Sequence, residues 1–135
     1  MGRSRRPAGR TRLAIAGSLT YRDDRWAGAD AAALIEVIEH LDLDRLPLVA
    51  RVVFGDMRPG AVVVTIPNAE YNALFPNLAA GTFRHPDHRF EWTRAEFWAW
   101  AHRIGATYGY QSAFSGIGRQ DETLGTPTQM AVFTR

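Results

Sequence analysis

The chain has 135 residues, 46% of them hydrophobic, with four Trp, seven Phe and four Tyr, a composition that supports one cored domain. Its formal net charge is only +2, from 16 basic and 14 acidic residues, and it has no cysteine; disulfides, zinc ribbons and thiol catalysis are excluded, and any metal site must use His, Asp and Glu. No apolar stretch approaches the roughly 20 residues of a membrane-spanning helix, and the opening MGRSRRPAGRTR is not followed by the hydrophobic segment of a signal peptide, so no membrane association and a cytoplasmic location are expected.

Lys is absent, and Arg3, Arg5, Arg6, Arg10 and Arg12 crowd the first twelve positions. Residues 1–11 are therefore expected to be a flexible Arg-rich arm, more often a solvated tail than a phosphate-binding device, ahead of a folded part over 12–135. RLAIAG at 12–17 predicts a short buried strand and the following residues to Asp23 a loop. Alanines 31 to 33 with Leu34, Ile35 and Val37 predict a second strand, too continuously apolar for one that is half exposed, with Glu36 at its carboxyl end. From Asp44, the spacing of Leu46, Val49, Val52 and Val53 predicts a helix with Pro47 in its first turn, closed by Gly55 and the Arg58-Pro59-Gly60 turn.

AVVVTI at 61–66 is the clearest strand, β-branched and stopped by Pro67, and is expected to pair in parallel with the preceding one. Asn68 can cap a short helix through Leu74, and an irregular stretch follows to Trp92. Thr93-Arg94-Ala95-Glu96 has capping-box spacing, so a helix should start at Arg94, bury Phe97, Trp100, Ala101 and Ile104, and stop at Gly105. Residues 108–115 and 129–134 are expected to close the domain as an antiparallel pair. This order matches the second half of a doubly wound α/β sheet, whose ligands sit at the carboxyl ends of the strands, where Glu36 and Asn68 fall.

Two polar segments are candidates for chemistry. Glu36-Val37-Ile38-Glu39-His40 places donors at i, i+3 and i+4, one side of the chain if it turns helically after the strand; the competing reading is a solvated helix start with Glu36 as an exposed strand end. An inverted zinc-protease motif would need His at position 36, which argues against a peptidase. The second segment, RHPDHRFEWTR at 84–94, precedes the capped helix. Its His88 could complete a four-ligand site with Glu36, Glu39 and His40; carboxylate and imidazole donors without sulfur suit Mg²⁺ or Mn²⁺, with zinc possible.

The stretches GSLTYRDDRWAGADAAALIEVIEHLD, VVVTIPNAEYN and HPDHRFEWTRAEFWAWA together closely resemble the small-RNA 3′-terminal ribose 2′-O-methyltransferase family, which methylates microRNA ends in plants and acts with a kinase-phosphatase in bacterial RNA repair. The resemblance runs from about Arg12 to the C-terminus. It implies a class I (Rossmann-like) methyltransferase that uses S-adenosylmethionine and one divalent metal held by Glu36, Glu39, His40 and His88. In the family the ion binds the 2′ and 3′ hydroxyls of the last nucleotide, so the RNA partner must carry a free 2′,3′-diol. His40 and His88 are also candidate acceptors of the hydroxyl proton, although one nitrogen cannot both ligate and accept. Asn68, Tyr71 and Asn72 become candidate contacts to the terminal nucleotide, with core packing the alternative for Tyr71. Arg84 and Arg89 are candidate phosphate contacts or ordinary surface charges.

The sequence also departs from the family. Members carry a first strand with a Gly-rich turn around the methionine part of the cofactor and a second strand with an acidic residue for its ribose. Here the G-x-G at 116–118 stands in the wrong topological place. Of the cofactor wall only the loop at 17–20 is expected, with Ser18 and Leu19 near adenine. The fold is thus expected to be a partial class I methyltransferase lacking the first strands and Gly-rich loop. Two functions follow: the carboxyl-terminal part of a longer or split methyltransferase, active with its missing N-terminal half, or a non-catalytic RNA 3′-end-binding module or inactive gene fragment. A free sheet edge should remain where the missing strands would pair.

Overall fold

The computed structural model describes Leu19, Arg22 and residues 24–135. The expected arm over 1–11, the strand over 12–17 and Ser18 lie outside the described residues. Four strands form one sheet in the order β1-β2-β4-β3: β1 (Ala31–Ile35), β2 (Ala61–Pro67), β3 (Gln111–Ile117) and β4 (Thr128–Thr134). β1 runs parallel to β2, with Ala33 opposite Val63, while β4 pairs antiparallel with both β2 and β3. β1, β2 and β4 fall where the apolar runs predict them.

The connection from β1 to β2 is helical. A 3-10 turn at Leu43–Arg45 leads into α1 (Leu46–Ala50), which carries Pro47 at its start and passes into π-helical turns over Arg51–Met57. Gly55 does not close this helix, as the sequence predicts. It lies inside it, where an added Cβ would meet the Tyr108 ring at 3.1 Å. The helix closes at the expected Arg58-Pro59-Gly60 turn, with Arg58 in the left-handed region at φ 47°.

α2 (Arg94–Tyr108) begins at the predicted capping box: Thr93 accepts from the Glu96 amide, and the Glu96 side chain accepts from the Thr93 amide. It buries Phe97, Trp100, Ala101 and Ile104. It also runs one turn beyond the expected stop, because Gly105 keeps its place in the helix and Gly109, at φ 77°, makes the left-handed cap. That extra turn delays β3 from the expected position 108 to Gln111.

Side chains alternate across a strand, and every strand residue of the core cluster, Leu34, Val62, Val64, Ile66, Ala131 and Phe133, lies on one face of the sheet. Phe54, Phe97 and Trp100 pack onto that face, with the Phe54 and Phe133 rings 4.9 Å apart. The opposite face carries the row Ala33, Val63, Val132 and is only partly covered. β1 is correspondingly not the buried strand its composition predicts. It is an edge strand among the described residues, and Ile35 is 53% exposed.

Candidate metal centre

β1 ends at Ile35, and Glu36 then takes φ 53°, a left-handed conformation rare for a side chain with a Cβ. Its amide donates to the Thr65 carbonyl and hydroxyl of the neighbouring strand, both at 3.1 Å, which holds the turn in place. The chain then makes a 3-10 turn over Ile38–His40. Ile38, fully buried, anchors this turn in the core, and Glu39 follows it into the interior.

The second half of the centre comes from far along the chain. The Arg89 amide donates to the Glu39 carbonyl at 2.7 Å, tying the loop before α2 to the 3-10 turn. The tie places the His88 ring 4.9 Å from the His40 ring, centroid to centroid. Glu39, His40 and His88 thus offer donor atoms that all lie within 4.8 Å of one another.

Of the four ligands read from the sequence, the structure groups these three. Glu36 stands beside them, its Oε1 accepting from Thr65 Oγ1 at 3.4 Å and its carboxyl close enough to that of Glu39 to raise the latter's pKa. The i, i+3, i+4 reasoning presumed a helical turn directly after the strand; the left-handed residue at 36 breaks that geometry.

Glu39 is the most unusual group in the molecule. It is fully buried, and neither side-chain oxygen finds a hydrogen-bond donor. Burial first, then the Glu36 carboxyl and the nearby Glu91, push its pKa from 4.5 up to about 8. A buried carboxylate without a donor costs several kcal/mol unless a cation compensates it. Two imidazoles facing that carboxylate, with a second carboxyl alongside, form a set suited to a divalent cation. The residues therefore fit the metal that the resemblance implies.

Residues that the sequence reading did not single out complete the surroundings. Glu91, whose side chain is 1% exposed, contacts His88 Nδ1 through Oε2 at 2.5 Å. Its i, i+3 spacing from His88 was the available signal. His85 joins the imidazole group, 5.5 Å from the His88 ring and 6.2 Å from that of His40.

The expected nucleotide contacts divide. Asn68 is fully buried: Nδ2 donates to the Leu124 and Thr126 carbonyls, and Oδ1 accepts from the Glu70 amide. It fixes the end of β2 from inside the protein, with its side chain out of reach of solvent, where the sequence reading expected it to face RNA. Asn72 donates to Glu91 Oε1 at 2.7 Å and accepts from Arg84 Nε. Arg84 also donates to the Pro127 and Asn68 carbonyls, so its guanidinium is spent inside the protein rather than offered to a phosphate. Tyr71 stays half-buried outside the core cluster, its ring 5.6 Å from Phe75. Arg89 is exposed beside Asp42 at 3.8 Å. Leu19, from the expected cofactor loop, packs against the core. A cavity of about 290 Å³ lies away from the triad, between α2 and the β3 end of the sheet, lined by Arg94, Trp98, Phe114 and Gln120 among others.

A parallel β1-β2 pair joined by a helical crossover, continued by an antiparallel β3-β4 pair, with polar groups gathered at the carboxyl ends of β1 and β2, defines part of a Rossmann-like methyltransferase fold. No family model matches the chain. It is 45% identical over 122 residues to the small RNA 2′-O-methyltransferase of Mus musculus, an alignment covering 88% of this chain and 30% of that protein. Among solved structures, the methyltransferase domain of bacterial CtHen1 is 50% identical with a TM-score of 0.77, over 88% of this chain and 60% of that one. Small RNA methyltransferase HEN1 is 34% identical with a TM-score of 0.82, over 88% of this chain and 15% of that one. Over 88% of its own length the chain is homologous to small RNA 2′-O-methyltransferases, and it spans about a third of the length of those curated relatives.

Proposed function

We propose that the chain supplies the metal-binding and RNA-end-binding part of an enzyme that methylates the 2′-hydroxyl of the 3′-terminal ribose of RNA, with S-adenosylmethionine as methyl donor. The observation that carries this reading is the buried Glu39 carboxyl, without a donor, facing His40 and His88. Those three residues, with Glu36 alongside, would hold Mg²⁺ or Mn²⁺. A divalent cation there supplies two things: it lowers the pKa of a ribose hydroxyl and fixes its direction towards the methyl group.

The protein's own residues do the rest. Ile38, buried behind the 3-10 turn, makes the floor on which Glu39 is held, and the Arg89-to-Glu39 backbone bond keeps the two halves in register. His88 has Nδ1 committed to Glu91, so it serves as a ligand rather than an acceptor of the hydroxyl proton. His40 lies exposed at the mouth, and as a ligand it would have no lone pair left for the hydroxyl proton, which would pass to solvent there. Tyr71, just past the end of β2, offers an aromatic face to the terminal base. A vicinal diol is required because a 3′-phosphate would remove one of two chelating hydroxyls and bring negative charge towards Glu36 and Glu39.

Completion by a second polypeptide, or by a further part of a longer one, and association with a polynucleotide kinase-phosphatase belong to the same reading. Ser18 and Leu19 of the loop at 17–20 would stand on the cofactor wall. A non-catalytic RNA-end-binding module is the second reading. The test mixes the chain with a separately expressed segment carrying the Gly-rich methyltransferase strands. Transfer of a radiolabelled methyl group to RNA ending in a 2′,3′-diol, and none to the 3′-phosphorylated form, is the expected result. RNA binding without transfer supports the module.

A further inference from the structure

The geometry points to Glu91 as the residue that selects the tautomer of His88 and aims its Nε2 at the candidate metal centre, with Asn72 and Arg84 holding Glu91 for that task. This inference rests on the reading of Glu39, His40 and His88 as a metal site and adds the mechanism by which the third ligand is set.

Three donors converge on the Glu91 side chain. Asn72 Nδ2 donates to Oε1 at 2.7 Å; the Arg84 amide, at 2.9 Å, and His88 Nδ1, at 2.5 Å, both meet Oε2. Only a carboxylate accepts at both positions. With Gln, whichever way the amide turned, its N–H groups would face a donor already in place, either Asn72 or the Arg84 amide. The carboxylate is buried and cannot swing away to water. An acceptor fixed at Nδ1 requires the proton on that nitrogen, which leaves the Nε2 lone pair free to ligate.

The brace extends further. Asn72 itself is oriented by Arg84, whose guanidinium reaches the Asn68 carbonyl at the end of β2 and the Pro127 carbonyl just before β4. Through Glu91, the irregular loop bearing His88 is thereby tied to two strands of the sheet. An imidazole on an irregular loop would otherwise sample several rotamers and both tautomers, each of which weakens ligation. Carboxylate partners of ligating imidazoles typically matter by 10–100-fold in metal affinity.

The experiment combines imidazole ¹⁵N NMR of the metal-free 135-residue chain at pH 8 with Mn²⁺ calorimetry, on wild type, Glu91→Gln, Asn72→Ala and His40→Ala. In wild type, His88 should appear as the Nδ1–H tautomer. Glu91→Gln should convert it to a mixed or Nε2–H form and weaken Mn²⁺ binding about 10- to 100-fold. Asn72→Ala, which leaves Glu91 in place but looser, should do both to a smaller degree and decides the matter if the Gln variant does not fold. His40→Ala should remove Mn²⁺ binding while leaving the His88 tautomer untouched, an outcome a merely structural Glu91 does not explain. A folded Glu91→Gln with the wild-type ¹⁵N pattern and affinity overturns the proposal. Should wild type bind no Mn²⁺ while the tautomer still follows Glu91, the metal reading fails and the positioning role stands.

Discussion

At the level of single residues, the buried Glu39 carboxyl links metal binding to pH. Its folded-state pKa is raised from 4.5 to about 8, chiefly by burial and then by Glu36. The unfolded chain therefore releases this proton from about pH 4.5, whereas the folded, metal-free chain keeps it until about pH 8. The stability this group contributes is fully present below the lower value and is lost as pH rises through the window between the two. Metal-free protein should melt at a higher temperature at pH 5 than at pH 8, and Glu39→Gln should flatten that dependence. Mn²⁺ should reverse the trend, because a cation displaces the proton and binds more tightly as pH rises. Calorimetric melting with and without Mn²⁺ across this range checks the sign; equal slopes for wild type and Glu39→Gln would show that another group is responsible. Tyr71 gives an independent check of the RNA side. Tyr71→Ala should raise KM for the RNA about tenfold, in line with the roughly 1–3 kcal/mol of base stacking on an aromatic, with Mn²⁺ affinity unchanged, and Tyr71→Phe should restore it.

Secondary-structure elements show why part of the molecule was legible in the sequence and part was not. β2 and the start of α2 are specified locally: a β-branched run ended by Pro67, and a Thr93–Glu96 capping box. Thr93→Ala should cost about 1 kcal/mol of stability and leave metal affinity alone, measured by denaturant unfolding. The end of α2 is different, since Gly105 and Gly109 are both plausible stops on local grounds. Tertiary packing decides between them: an added Cβ at Gly105 would run into the Tyr110 carbonyl, so this glycine is kept for close approach while Gly109 makes the turn. Gly105→Ala should therefore destabilise the chain despite the higher helix propensity of Ala, by more than the roughly 1 kcal/mol that propensity would gain. The site obeys the same division. Glu39, His40 and His88 were legible as residue types with the right chemistry, but the left-handed residue at 36, the reach of the loop onto Glu39 and the burial of Asn68 and the Glu91 side chain depend on contacts between segments distant in the chain.

For the whole molecule, the asymmetry of the sheet is the governing feature. One face carries the core, and the other exposes a row of apolar groups from Ala33 through Val63 to Val132, with Ile35 at its margin. The free edge of β1 borders that face, among the described residues, and an unpaired edge next to apolar surface is a template for another strand. The candidate metal centre sits at the carboxyl end of this same strand, so whatever pairs with β1 lies next to Glu36 and that centre. The 135-residue chain alone should consequently self-associate as its concentration rises, seen as a growing sedimentation coefficient in analytical ultracentrifugation. Ile35→Lys, which puts a charge on the exposed face at the edge, should suppress the association and leave the Mn²⁺ affinity within about twofold of wild type, since the side chain points away from the Leu34 side that packs on the core. If the Lys variant associates as strongly as wild type, the contact lies elsewhere, and the edge of β1 is not the surface through which the chain pairs.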